Sequence, residues 1–210
     1  PLLFIILTSD MPEAISEASI VTYADDTTVY LAHRNMDTVY NGLEKATDEI
    51  LLYMRSNCLA ANAEKTKFVM FGRKKSRKIR VGPGYVEESE AEVLLGVKIS
   101  KNLTWTKQVE ELRLELSRRV GIIRRLSHQM PRHTMMKVLT PIFTSRLQYA
   151  IKIFTDPSGA ICEGRKKDSL LETLQISQNK AMRAALGRGS RDRTRTEELL
   201  ALTGQPSVLE

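Results

Sequence analysis

The chain has 210 residues, 42% of them apolar, which suffices for one large core or two small ones. The 32 Lys and Arg against 25 Asp and Glu leave a net charge of +7. The two cysteines, Cys58 and Cys162, lie far apart without metal-type spacing, which argues against a disulfide-stapled secreted scaffold and for a reduced, intracellular setting.

The charge is unevenly placed. Residues 1–72 carry ten acids and five bases, net −5, and the remainder fifteen acids and twenty-seven bases, net +12. Such asymmetry suits a polyanion lying against the second part while chemistry occurs on the first; the plainer alternative is that basic helices are simply soluble. Pro1-Leu2-Leu3-Phe4-Ile5-Ile6-Leu7 opens the chain as an apolar run too short to span a bilayer and without a basic leader. It reads as a buried strand or the start of a helix whose upstream part is missing, so the chain is taken as a fragment. A loop is expected around Asp10-Met11-Pro12, since Pro12 disfavours helix at the residue before it.

The run Ile20-Val21-Thr22-Tyr23-Ala24-Asp25-Asp26-Thr27-Thr28-Val29-Tyr30-Leu31 places two acids between β-branched stretches. It predicts a tight β-hairpin over about 20–32 with paired carboxylates at its tip. Carboxylates there suit a divalent cation, and they also suit an ordinary turn, because Asp caps its own backbone. Val39, Tyr40, Leu43, Ala46, Ile50, Leu51 and Met54 form a helical stripe over 37–56, with Asp37 as N-cap and Asn57 as a left-handed stop. This helix is expected to pack beneath the sheet carrying the hairpin, with Tyr40 and Tyr53 as packing residues.

Thr66–Phe71 reads as a strand after a loop containing Asn62 and Lys65. Arg73-Lys74-Lys75-Ser76-Arg77-Lys78 holds five bases in six residues, compatible with a solvated loop, a localisation signal or a nucleic-acid contact. Gly82-Pro83-Gly84 is a turn between the short strands Ile79–Val81 and Tyr85–Val86. Val93-Leu94-Leu95-Gly96-Val97-Lys98-Ile99 reads as a short strand interrupted by glycine, which marks a bulge or a close approach by another backbone. Helices follow. The first, 107–128, has the stripe Val109, Leu112, Leu116, Val120, Ile123 and Leu126, with Arg113, Arg118, Arg119, Arg124 and Arg125 on its other faces. A second, 132–153, should be kinked or split by Pro141. After a break at Asp156-Pro157-Ser158-Gly159, a third spans about 168–186 and stops at Gly187. Thr194-Arg195-Thr196-Glu197 has the spacing of a capping box for a last short helix ending at Gly204.

In this context Tyr23-Ala24-Asp25-Asp26 resembles the catalytic hairpin of reverse transcriptases, especially those of non-LTR, LINE-type retrotransposons. Two further stretches are similar to that family: Asn57-Cys58-Leu59…Asn62-Ala63-Glu64-Lys65-Thr66, and Leu95-Gly96-Val97 with Leu103-Thr104-Trp105. Tyr53 stands where the family usually has Trp, and Gln108 where it usually has His. The resemblance implies RNA-directed DNA synthesis: two Mg²⁺ ions assist transfer from a dNTP to a primer 3′-hydroxyl, with an RNA template and DNA primer as partners. It implies Asp25 as main metal ligand, Asp26 as secondary ligand, and Tyr23 and Ala24 beside the primer end. It also implies Leu95, Gly96 and Val97 in a hairpin gripping the primer strand. Lys65 would protonate or neutralise the departing pyrophosphate, unless it is only a surface lysine. Arg73, Lys74, Lys75, Arg118, Arg119, Arg124 and Arg125 would follow the duplex backbone.

Adjacent residues of an extended chain point to opposite faces, so Asp25 and Asp26 can hardly hold both ions unaided. The family supplies a further Asp from a strand upstream of the segment that Pro1-Leu2-Leu3-Phe4 resembles. Isolated, this chain is therefore expected to be inactive. The fold expected is α+β, without fingers: residues 1–102 as a partial palm with a small antiparallel sheet, and 103–210 as a basic, helical thumb-like region. No membrane partner is expected. The competing readings are a decayed or repurposed remnant that binds nucleic acid without catalysis, and an unrelated metal-dependent phosphohydrolase using Asp25 and Asp26. Scattered histidines at 33, 128 and 133 weaken the latter.

Overall fold

The computed structural model describes residues 2–62, 64–72, 77–149, 151, 153, 165–189 and 191–208. The fold is α+β, with helix well in excess of strand, and the chain divides into two compact units, residues 1–92 and 93–210. The turn at 95–97 thus goes with the second unit, whereas the sequence grouped it with the first. The Asp156–Gly159 break and Cys162 lie outside the described residues.

In the first unit the opening apolar run is helical, α1 (Leu2–Thr8). The expected burial is absent: Leu3 is 83% exposed and Leu2, Ile5 and Ile6 are also open. No described element covers that face. A 3₁₀ turn, Met11–Ala14, begins with Pro12 near its start and buries Met11. Strands β1 (Ser19–Tyr23) and β2 (Asp26–Tyr30) then pair antiparallel in the register Ser19 to Tyr30 through Tyr23 to Asp26.

Helix α2 (Met36–Ser56) follows. Its N-cap is Asn35 rather than Asp37: Asn35 is extended and its side chain accepts the Asp37 N–H at 2.9 Å. Asp37 instead falls in the first turn, where a negative charge complements the helix dipole. The left-handed reversal comes at Cys58, φ +56, one residue after Asn57. Asn57 remains tied to the last turn, its N–H bonding to the Tyr53 and Met54 carbonyls at 3.1 and 3.2 Å.

The buried stripe of α2, Val39 and Tyr40, packs with Met70 and Ile79. Its partner is therefore chiefly β3 (Ile79–Val81), which pairs with β4 (Gly84–Val86), rather than the β1–β2 hairpin. The helix meets the hairpin at its exit, where a Cβ on Gly42 would come within 2.6 Å of Leu31 Cδ2. A larger residue there would have to push the Leu31 side chain aside. Arg80 fastens the α2–β3 contact, with Nη2 2.5 Å from Asp48 Oδ2 and its backbone N–H on Glu44 at 3.0 Å.

Thr66–Phe71 is not a strand. Phe68 makes one isolated bridge to Glu88, and Ser89 N–H donates to the Phe68 carbonyl at 3.0 Å. Phe68 and Met70 turn inward toward α2, while Thr66 is held by Asn62, so no ladder runs the length of the segment.

The division between the units falls within β5 (Ala91–Leu94), which pairs with β6 (Val97–Ser100). Gly96 is no bulge. Leu95 and Gly96, at φ +48 and +77, form the whole two-residue connection, and a type I′ turn demands positive φ at both positions. The rest of the second unit is helical: α3 (Thr106–Ser127), α4 (Arg132–Leu139), a π turn (Thr140–Thr144), α5 (Ser145–Gln148), α6 (Arg165–Ala185) and α7 (Thr196–Thr203). Pro141 does split the second helix, and the disruption is absorbed as the π turn, a known response to an interrupted hydrogen-bond ladder.

The core of this unit is one cluster built on Leu112, Leu116 and Ile123 of α3 and Leu174 and Met182 of α6, with Met135, Phe143, Leu147, Trp105, Val97 and Leu199 around them. The capping box does not form. Arg195 occupies the N-cap of α7 without a side-chain bond, because the Thr194 hydroxyl is engaged with Asp192 and Arg188.

Candidate catalytic hairpin

The register that pairs Tyr23 with Asp26 leaves Ala24 and Asp25 as the entire β1–β2 connection. Ala24 has φ +53 and Asp25 is not among the positive-φ residues. Positive φ at the first central position alone is the requirement of a type II′ turn, where glycine is usual. An L-residue there is strained, and the two-residue turn set by the strand register places Asp25 at the tip. Asp25 and Asp26 are both exposed, and Tyr23 beside them is 66% exposed. Among the described residues neither carboxylate has a hydrogen bond or ion pair. Each is a free hard-oxygen donor.

This donor chemistry fits Mg²⁺, which takes oxygen ligands and needs only a few from protein. The set is small: among the described residues there is no group of three or more His, Cys, Asp or Glu able to hold a metal. Asp10 is occupied elsewhere, since the Tyr53 hydroxyl donates to its carboxylate and to the Leu7 carbonyl, the latter at 2.9 Å. The hydrogen bond to Asp10, then desolvation, push the Tyr53 hydroxyl up to about 12. Tyr53 thus anchors the loop after α1 to α2 instead of packing. Glu49 and Lys45 extend the same fastening, accepting from Ser16 at 2.7 and 2.9 Å and donating to Glu17 at 2.5 Å.

Lys65 is exposed in a turn made by Asn62, whose side-chain and backbone oxygens both accept the Lys65 N–H at 3.2 Å. The Thr66 hydroxyl donates to the Asn62 carbonyl at 3.0 Å. Asn62 therefore presents Lys65 with its ammonium uncommitted among the described residues.

Leu95 and Gly96 are exposed at their turn, whereas the Val97 side chain is buried in the core and leaves only backbone available. Arg118, Arg124 and Arg125 are exposed on α3. Arg119 is not a free cation: it binds Glu115 through Nε and Nη2 at 3.1 and 2.7 Å and the Ile142 carbonyl through Nη1 at 2.6 Å. Arg73, Lys74 and Lys75 lie outside the described residues.

Sequence reading passed over the partners of Arg119. Arg146 Nε donates to the other oxygen of Glu115 at 2.8 Å, its guanidinium lies 5.7 Å from the Tyr149 ring centroid, and the Tyr149 hydroxyl donates to the Leu95 carbonyl at 2.5 Å. The i,i+4 spacing of Glu115 and Arg119 is readable in sequence; the remaining links span up to 54 residues and have no local signature. Burial works against ionisation of Glu115, but the hydrogen bonds from Arg146 and Arg119 outweigh it and hold the carboxyl below its ordinary range.

No helix among the described residues is long and apolar enough to cross a membrane. No curated protein and no solved structure matches the chain. A family model described as reverse transcriptase (RNA-dependent DNA polymerase) matches residues 1–112, which include the β1–β2 hairpin, the Asn62–Thr66 turn and the Leu95–Gly96 turn. By that match over more than half its length, the chain belongs to the reverse transcriptase family.

Proposed function

We propose that this chain is the palm and thumb part of a non-LTR, LINE-type reverse transcriptase, acting in RNA-templated nucleotidyl transfer from a dNTP to a primer 3′-hydroxyl. The observation that carries the reading is the strained two-residue turn, which sets two adjacent carboxylates, unpartnered among the described residues, at the tip of a hairpin. Asp25 and Asp26 hold the divalent ion, Asp25 as the main ligand. Bound Mg²⁺ supplies Lewis acidity to the attacking hydroxyl oxygen and offsets charge on the departing pyrophosphate. Tyr23 and Ala24 border the primer end. Lys65, its Nζ uncommitted among the described residues, donates a proton to the pyrophosphate or neutralises it. Leu95 and Gly96 meet the primer strand through exposed backbone, and Arg118, Arg124 and Arg125, with the 73–75 cluster, follow duplex phosphates without reading bases.

A second reading, a remnant that binds nucleic acid without catalysis, is favoured by one observation: the hairpin carboxylates gather no third acid among the described residues. Both readings require duplex binding, so the first test is fluorescence anisotropy with a labelled RNA–DNA hybrid across a salt series. Affinity should fall steeply, with a log–log slope of about −0.9 for each phosphate engaged. Absent or salt-indifferent binding rules out both. Templated dNTP incorporation by a parent enzyme, lost on Asp25→Asn, then separates enzyme from remnant.

A further inference from the structure

An open cleft of about 350 Å³ in the second unit is lined by Gly96, Arg119, Ser145, Arg146 and Tyr149. Arg146 is held there in an unusual way. Its Nε is pinned to Glu115 at 2.8 Å and its plane lies against the Tyr149 ring. Among the described residues its terminal Nη1 and Nη2 groups make no hydrogen bond. Those groups form the fork that matches two oxygens of a phosphate. Ordering such a side chain normally costs rotamer entropy at the moment of binding; here Glu115 and Tyr149 have already fixed it.

The surroundings favour an anion. Arg119 and Arg146 face one carboxylate, Glu115, so one positive charge remains in excess. Ser145 lines the cleft with its hydroxyl already donated to the Pro141 carbonyl at 2.9 Å, and Tyr149 moors the Leu95 carbonyl, which fixes the adjacent Gly96 at the cleft wall. A Cβ on Gly96 would sit 3.6 Å from the Tyr149 ring. That distance is an ordinary contact; it is the φ of +77 that disfavours a side chain at residue 96, and a bare residue lets a strand approach closely.

We infer that this cleft is a phosphodiester-binding pocket in which Arg146, preset by Glu115 and Tyr149, clamps one backbone phosphate of the duplex engaged by the Leu95–Gly96 turn. The inference rests on the proposed duplex-binding function and adds to it a residue and a mechanism of preorganisation. Because a triphosphate carries the same oxyanions, the test has an arm for each source.

The experiment compares wild type, Arg146→Lys, Arg146→Ala and Tyr149→Phe, all as the full chain, by anisotropy on an RNA–DNA hybrid and by calorimetry with dTTP, after a thermal melt shows each variant folded. Lysine keeps the charge and loses the fork. Arg146→Lys should weaken hybrid binding about tenfold, and Tyr149→Phe should weaken it by a smaller factor because Leu95 is unmoored. Arg146→Ala should flatten the salt slope by about one contact. If wild type binds the hybrid and Arg146→Lys matches its affinity, the pocket is refuted while the duplex-binding function stands. A loss confined to dTTP refutes the phosphodiester assignment. If wild type does not bind the hybrid, the proposed function itself fails and the pocket with it.

Discussion

At the scale of single residues, Ala24 states the trade made at the hairpin tip. Its φ of +53 is a region that costs an L-residue about 1–2 kcal/mol. Glycine would remove that cost but adds about 0.5–1 kcal/mol of backbone entropy lost on folding. The first figure is larger, so Ala24→Gly should raise the midpoint of thermal unfolding slightly, and Ala24→Val should lower it, β-branched residues being poor at positive φ. Calorimetry on the three proteins checks the order; a glycine variant no more stable than wild type would mean that the turn is not strained. The consequence for function is positional. The turn's backbone sets where Asp25 stands, and among the described residues both carboxylates lack an internal partner. The acids and the hairpin were legible from the β-branched flanks. The two-residue loop length, which decides that Asp25 and not Asp26 stands in the turn, comes from strand register and was not.

Among the elements, the helices were the most readable, because their buried faces repeat every three or four residues. The stripe Val109, Leu112, Leu116, Val120 and Ile123 is the buried face of α3. The strands were less readable. Leu95 at positive φ departs from ordinary residue preference, so a turn there looked like a strand with one glycine defect. Phe68 and Met70 alternate as a strand would, yet they serve a helix–strand core instead of a ladder. The Glu115–Arg119–Arg146 hub was hidden for another reason, since it joins α3 to the π turn and α5 across long stretches of chain.

That hub makes a pH prediction. Glu115 titrates below its ordinary value of 4.5 when folded, so its contribution is complete above the unfolded carboxyl range and disappears as pH falls through the lower folded value. Glu115→Gln should cost about 1 kcal/mol at pH 7, the pairs being about one-third exposed. The difference from wild type should shrink by about pH 3. Urea unfolding of both proteins at the two pH values measures it, and a gap that stays constant would show that Glu115 acts by shape rather than charge.

Across the whole molecule, the uneven charge fits the proposed division of labour. The acidic first part carries the hairpin carboxylates and Lys65, and the basic second part carries exposed arginines and a preset one. Sequence alone exposed this asymmetry, since it needs only counting. It did not reveal that Arg119 is spent on Glu115 or that Val97 is buried, because both facts depend on what lies opposite in space. The central claim is that Asp25 and Asp26 are cation ligands serving nucleotidyl transfer, and it is tested most directly without asking the chain to catalyse. In a titration of the isotope-labelled chain bound to an RNA–DNA primer–template with paramagnetic Mn²⁺, amide signals of residues 23–27 should broaden first, and Asp25→Asn should abolish that effect while duplex binding persists. Broadening that begins elsewhere, or survives Asp25→Asn unchanged, would contradict the claim.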